Sequence, residues 1–481
     1  MRVLMFGWEF PPVKSGGLGT ACKGMATALA RNGTEIIFVL PRTLDGNTLH
    51  VRERLDVWPA SGRRVPHIVR RTRWETRPRT LWREHPDAQD SRRLPDGEDW
   101  WERLRLQMVP SPLHPYLTPQ GYAREIRELE RRAGARQHAP GFRSVLFPSR
   151  EYKTSSATSS ASTETSVELH GGYGADLMAE VWRYASAAAS IALETDFDII
   201  HAHDWMTYPA GVLVRELTGK PLVAHAHALE YDRSGDNVNA AIAHLERMGM
   251  EAADLVVAVS AYTRRSIMRH YGIPGDKIKV VHNAVERGDI DRTYPLPSLC
   301  KEEKRVLFMG RVTFQKGPDY FVEAARLVLD RLPNTRFIMA GSGDMLPNMV
   351  RRVAQLRMGS RFHFTGFLRD SDVDHMYAIS DLYVMPSVSE PFGIAPLEAM
   401  ACDVPVLVSR QSGVVEVLRN AIRVDFWDVR EMANKICALL HYPILAAEEV
   451  RNCREELKDI RWENAAVKLR AAYDRLIAGR R

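Results

Sequence analysis

Residues 1–40, MRVLMFGWEFPPVKSGGLGTACKGMATALARNGTEIIFVL, decide the fold class. Arg2 to Trp8 is a short apolar run of strand-forming residues that ends in the loop EFPPVKSGGLGT, and Cys22 to Asn32 then carries apolar residues at helical spacing. Gly33 stops that helix, and Glu35 to Leu40 is a second apolar run. Strand, glycine loop, helix and strand make a βαβ unit, the building block of a parallel sheet covered by helices. The pattern recurs from Arg305, where VLFMGR is followed by VTFQKG and by a helix from Pro318 to about Leu332. Further strand-like runs at Arg336 to Gly341, Phe362 to Gly366, Leu382 to Pro386 and Val404 to Ser409 extend the second unit. The expectation is an α/β chain of two doubly wound, Rossmann-like domains facing a central cleft, 1–290 and 300–460. A polar, proline-containing linker, Glu286 to Lys304, joins them. An amphipathic helix within 461–481, roughly Trp462 to Ile477, is positioned to cross back onto the first domain.

Between the first two strands and the rest of the first domain the periodicity gives out. From Arg42 to Arg150 the chain is rich in Arg, Trp and Pro, has no Lys, and offers only patches such as Tyr122 to Arg132 that read as helix. This reads as an insertion over 42–168, closing on the low-complexity run TSSATSSASTETS from Thr154 to Ser166. Its arginines read as a solvated surface, with an anionic or glucan-binding patch as the alternative because Trp74, Trp82, Trp100 and Trp101 would stack on sugar rings. Regularity returns with an alanine-rich helix from Ala175 to about Glu194. The strands Phe197 to His203, Pro221 to His227, Leu255 to Ser260 and Ile278 to His282 follow, separated by helical stretches.

At 481 residues the chain is long enough for two or three cores. Its net charge of +6 is modest and local to the insertion, so it does not argue for nucleic acid. Five cysteines, odd in number and without C-x-x-C spacing, fit reduced thiols in a cytoplasmic protein better than a disulfide framework or zinc site. The N-terminus lacks the apolar run and cleavage site of a signal peptide, and no segment has the length of a membrane span.

The chemistry concentrates in SEPFGIAPLEAMA, Ser389 to Ala401. Glu390 sits in a loop with Pro391 and Gly393, and Glu398 lies about one turn into a helix begun near Pro396. A helix start offers free N–H groups to an anion or hydroxyl, while a carboxylate accepts two hydrogen bonds from a vicinal diol. Arg311 and Lys316 bracket the loop ahead of a second helix start at Gly317, a pairing suited to a diphosphate leaving group. Lys14, Gly16, Gly17 and Gly19 form a loop whose N–H groups would approach an anion, although it is neither a dinucleotide fingerprint nor a P-loop. HAHDW, His201 to Trp205, alternates histidines on one strand face but supplies no fourth clustered ligand for a metal. DFD, Asp196 to Asp198, precedes its strand and so lies at the wrong end of the sheet. His227 ends a strand and faces the expected cleft.

Together these motifs resemble the retaining glycosyltransferases of the GT-B fold, families 4 and 5, and most of all bacterial and archaeal glycogen or starch synthases. KSGGLG at Lys14 is similar to their K-x-G-G-L loop, HAHDW to their H-x-H-D-W strand end, and HALEY at His227 to their active-site histidine strand. GRVTFQKG at Gly310 resembles their G-R-x-x-x-x-K-G segment, and SEPFGIAPLEAMA their E-x7-E signature. Thr20 stands where glycogen synthases commonly carry Asp, and PFGIAPLE is the family 4 version of the signature.

The resemblance implies that Arg311 and Lys316, with Gly310, hold the donor diphosphate and that Glu398 holds the ribose. Glu390, with Pro391, Phe392, Gly393 and Ile394, would hold the donor sugar, and the Phe367–Leu368 loop the base. Asp204 and His227 would line the sugar and acceptor side, while Lys14, Gly16 and Gly17 would reach the phosphates. It implies no cofactor and no metal. The expected activity is glucose transfer from ADP-glucose or UDP-glucose to the non-reducing end of an α-1,4-glucan. The alternatives are another family 4 hexosyltransferase acting on a disaccharide, lipid or cell-surface glycan, and a non-catalytic glucan-binding protein.

Overall fold

A computed structural model describes residues 1–11, 16–41, 177–286, 303–368 and 371–479, together with the backbone of four short strands between 58 and 166. The first half contains β1 (Arg2–Phe6), β2 (Glu35–Leu40), β3 (Trp58–Pro59), β4 (Arg64–Val65), β5 (Leu104–Met108), β6 (Thr165–Ser166), β7 (Ile199–His203), β8 (Leu222–Ala226), β9 (Leu255–Ala258) and β10 (Ile278–Val280). Eight of them form one parallel sheet in the order β10-β9-β8-β7-β1-β2-β5-β3, while β4 and β6 pair antiparallel. The second half contains β11 (Lys304–Met309), β12 (Thr335–Ala340), β13 (Phe362–Gly366), β14 (Leu382–Met385), β15 (Val406–Ser409) and β16 (Ile422–Val424), a parallel sheet in the order β13-β12-β11-β14-β15-β16. These are two Rossmann-like domains of the GT-B kind.

Continuous apolar strands are what a sheet covered on both faces requires. Val3, Leu4, Met5 and Phe6 of β1, and Val306 and Leu307 of β11, are fully buried. In each sheet the first strand lies centrally and the chain leaves it in opposite directions. β1 pairs with β2 and β7, and β11 with β12 and β14. Such a reversal opens a crevice at the carboxyl ends of the strands, where ligands of open α/β sheets bind. The loops after β1, β7, β11 and β14 therefore converge on one region.

The last helix, Trp462–Ala478, returns to the first domain and packs on the helix Gly17–Arg31. A Cβ placed on Gly24 would lie 2.2 Å from the Trp462 ring, so only glycine allows this approach. Arg470 donates to the Thr34 hydroxyl at 3.1 Å, and Lys279 Nζ donates to the Lys468 carbonyl at 2.8 Å.

Three readings change. The segment expected to lack regular elements contributes β5, which pairs with β2 inside the sheet; its sequence, LRLQM, alternates apolar and polar residues, but the charged flanks hide that alternation. The first helix starts at Gly17 rather than Cys22. Gly17 and Gly19 are therefore in its first turn, where the Gly19 N–H donates to the Glu9 carboxylate at 3.3 Å. Lys304 opens β11 rather than closing the linker. The expected helix Tyr122 to Arg132, the four tryptophans at 74, 82, 100 and 101, the rest of the linker from 287 to 302, and Lys14 lie outside the described residues.

Candidate active site

The four loops enclose a cavity of about 750 Å³ between the domains. Gly16, Gly17, Asp204 and His227 line it from the first domain. Gly310, Arg311, Lys316, Phe367, Leu368, Glu390, Pro391, Phe392, Gly393, Ile394 and Glu398 line it from the second. Apart from Gly19, every described residue expected to bind donor or acceptor thus meets the others here.

The second domain's wall is built around an ion pair. Lys316 Nζ contacts the Glu390 carboxylate, which also accepts from the Ser387 hydroxyl at 3.2 Å; Glu390 is buried. Two features hold the partners in register. Gly317, with φ 61°, sits so close to β14 that a Cβ would lie 2.2 Å from the Pro386 carbonyl, fixing the turn that carries Lys316. The Val388 N–H donates to the Gln315 carbonyl at 2.9 Å, and the Gly413 N–H to the Glu390 carbonyl at 2.9 Å. Arg311 donates to Gln315 Oε1 at 3.0 Å. Glu398 lies in the first turn of the helix Ala395–Ala401 and accepts from the Tyr377 hydroxyl at 3.1 Å.

On the facing wall, Asp204 follows β7 in a left-handed conformation, φ 60°. That geometry turns its carboxylate onto the start of the next loop, where it accepts from the N–H of His227 at 2.6 Å and of Ala228 at 3.4 Å. Burial raises its pKa to about 6 against the lowering effect of those two N–H groups and of Arg233. Burial lowers the pKa of His227, so its ring is neutral at physiological pH, with Nε2 2.9 Å from His203 Nδ1.

Sequence reasoning missed four contributors. Arg233 reaches the cavity and is held by Glu230 at 3.1 Å, Glu246 at 2.5 Å and the Ala228 carbonyl at 3.2 Å. The polar run after His227 was the only signal for it. Glu9 accepts from the Gly19 N–H at 3.3 Å, placing a carboxylate on the first helix start. Ser389 donates to Asp232 at 2.6 Å and meets the Tyr262 hydroxyl at 2.9 Å, so the loop bearing Glu390 is tied to the first domain. Glu416 reinforces that tie by accepting from the N–H groups of Ala261 and Tyr262, both at 2.8 Å. DFD is structural: Asp198 accepts from the Arg2 N–H at 2.8 Å and the Asp196 carbonyl from the Arg2 guanidinium at 3.1 Å.

Two facing Rossmann-like domains with basic and acidic groups converging at both switch points define the GT-B class. The comparisons agree. The model for glycosyl transferases group 1 matches residues 297–458, that for glycosyltransferase family 4 matches 119–288, and the starch synthase catalytic domain model matches 2–81. Over both halves the chain is thus similar to GT-B glycosyltransferases of the family 4 and 5 type.

It is 32% identical over 238 residues to an uncharacterised glycosyltransferase of Methanocaldococcus jannaschii, covering 47% of this chain and 61% of the relative. It is 31% identical over 316 residues to a D-inositol 3-phosphate glycosyltransferase of Mycobacterium marinum, covering 59% of this chain and 66% of the relative. The chain thus spans somewhat less than two thirds of these relatives' own lengths. Among solved structures, sucrose-phosphate synthase from Thermosynechococcus elongatus superposes with a TM-score of 0.64 at 17% identity, covering 99% of each chain. Anabaena HepE in complex with UDP and glucose gives 0.58 at 14% identity, over 98% of this chain and 99% of that one.

Proposed function

We propose that the chain is a retaining glucosyltransferase that moves glucose from ADP-glucose or UDP-glucose to the non-reducing end of an α-1,4-glucan. The observation that carries the donor half is the Lys316–Glu390 pair beside Arg311 in the interdomain cavity. Before donor binding, the ammonium and carboxylate neutralise each other. A diphosphate entering above the Gly317–Pro318 helix start gives Lys316 a more highly charged partner and frees Glu390 for sugar hydroxyls. As the bond from the anomeric carbon to the diphosphate breaks, its electron pair leaves with the phosphate oxygen, and Lys316 and Arg311 stabilise that charge. Glu398 takes the ribose diol and the Phe367–Leu368 segment borders the base. Asp204 orients His227 toward the sugar. This reading needs no metal ion at the phosphates and no cofactor.

In this reading residues 300–460 bind the donor, 1–290 present the acceptor, and 461–481 return to the first domain. The acceptor assignment draws support from HAHDW and from the starch synthase match over 2–81. A second reading, transfer to a small phosphorylated acceptor, is favoured by the D-inositol 3-phosphate glycosyltransferases among the relatives. Among the described residues no helix is long and apolar enough to cross a membrane. Among the described residues Cys22, Cys402, Cys437 and Cys453 form no disulfide, which suits a reducing cytoplasm. The deciding experiment incubates purified protein with labelled ADP-glucose or UDP-glucose and glycogen, maltose, D-inositol 3-phosphate or no acceptor. Label in glycogen supports the first reading; label only in inositol phosphate replaces it with the second.

A further inference from the structure

β7, β8 and the residue that follows β8 set four imidazoles side by side, three of them buried and His227 half-buried, a composition that sheet packing alone does not call for. The rings of His201 and His203 stack at 4.3 Å, and those of His225 and His227 at 4.1 Å. Across the strands, His201 Nε2 lies 3.1 Å from His225 Nδ1, and His203 Nδ1 lies 2.9 Å from His227 Nε2. The Tyr473 hydroxyl occupies the other nitrogen of His201. Among the described residues, that leaves His203 Nε2, His225 Nε2 and His227 Nδ1 buried with no hydrogen-bond partner. Each unmet buried polar atom of this kind carries a desolvation cost that a ligand would remove.

Cys22, fully buried on the first helix, brings a thiol to the same place. One donor atom from each of Cys22, His203 and His227 lies within 4.8 Å of the others. We propose that these three side chains form a binding site for a borderline-soft divalent cation of the zinc type, separate from the donor phosphates. One sulfur and two imidazole nitrogens are ligands zinc favours, and three protein ligands leave a coordination position free. One of the three, His227, lines the interdomain cavity.

The neighbouring set of His201, His203 and His225 has donor atoms equally close, but both nitrogens of His201 are engaged and none of the three lines the cavity. On binding, the thiol proton leaves to solvent and the sulfur lone pair forms the bond to the metal, so one proton is released per ion.

The test uses the full chain, stripped by chelator and dialysed. It is titrated with Zn²⁺ against a chromophoric competitor and with Co²⁺ by absorption, neither of which depends on sugar chemistry. The expected result is one tight Zn²⁺ per chain and a thiolate-to-cobalt charge-transfer band. Cys22→Ser and His203→Asn are expected to weaken affinity about tenfold or more. Cys437→Ser, a remote thiol, leaves it unchanged. Absence of stoichiometric binding by the wild-type chain, a cobalt complex without the thiolate band, or equal affinity in a folded Cys22→Ser variant would each overturn the site. Should Cys22→Ser not fold, the wild-type cobalt spectrum decides.

Discussion

Replacing Lys316 with alanine removes the ammonium that neutralises Glu390 and that, in the proposed function, faces the departing diphosphate. The two roles carry separable magnitudes. Glu390 is buried and Lys316 retains 21% of its side-chain exposure. The cost of stranding the carboxylate therefore falls below the ~3–5 kcal/mol typical of a fully buried pair, at roughly 1–2 kcal/mol of stability. Losing one donor to a developing oxyanion costs about 3–4 kcal/mol of transition-state stabilisation, or a fall in kcat of about 10²–10³-fold.

Glu390→Gln alone lowers the rate as well, because it removes the sugar contact. The double variant Lys316→Ala, Glu390→Gln separates the effects. It regains the stability lost by Lys316→Ala, since no buried charge is left unpaired, but recovers no activity. Steady-state kinetics with labelled nucleotide-glucose and urea melts of the four proteins complete the cycle. A Lys316→Ala enzyme within about fivefold of wild type in kcat, or a double variant as active as wild type, would refute the assignment of Lys316 to the leaving group.

Glu398→Gln keeps an acceptor for the Tyr377 hydroxyl but weakens the grip on a ribose diol, so the donor KM rises about tenfold with kcat nearly unchanged; an unchanged KM would move the ribose elsewhere. Gly24→Ala drives a methyl into the Trp462 ring, costs roughly 1–3 kcal/mol and lowers the Tm by several degrees. A Tm equal to wild type would show that the last helix does not pack this tightly. Glu449 has its pKa raised from 4.5 to about 7 by burial, against the lowering effect of N–H groups from Ile422 and Val406. The folded chain holds that proton more tightly than the unfolded one, so this group's contribution is full below pH ~4.5 and is lost as pH rises toward 7. The loss is on the order of 3 kcal/mol. Glu449→Gln is expected to flatten this dependence and raise the Tm at pH 8; equal shifts at pH 5 and pH 8 would count against it.

The parallel architecture was legible because buried strands such as Ile36 to Leu40 and Val306 to Met309 are apolar without interruption, and because glycine loops mark the strand-to-helix turns of both halves. The second domain's wall of the cavity was legible for a related reason: Glu390, Glu398, Arg311 and Lys316 lie in short local patterns whose spacing is fixed by a helix start. β5 was not, because its pairing with β2 is a long-range event across charged sequence. Arg233 was also hidden, since its significance comes from Glu246 on a different helix. The four-histidine cluster shows the same limit. Each strand displays alternating histidines, but only the lateral pairing of β7 with β8 joins them, and only the first helix adds Cys22.

The central claim is that the interdomain cavity transfers a hexose from a nucleotide donor with retention. The most direct measurement follows the reaction of an α-linked nucleotide-glucose donor and acceptor by proton NMR, reading the anomeric signal of the first product formed. The account predicts release of the nucleoside diphosphate in step with an α-linked product. A β-linked product, or no consumption of either ADP-glucose or UDP-glucose by folded protein with any acceptor offered, would contradict it.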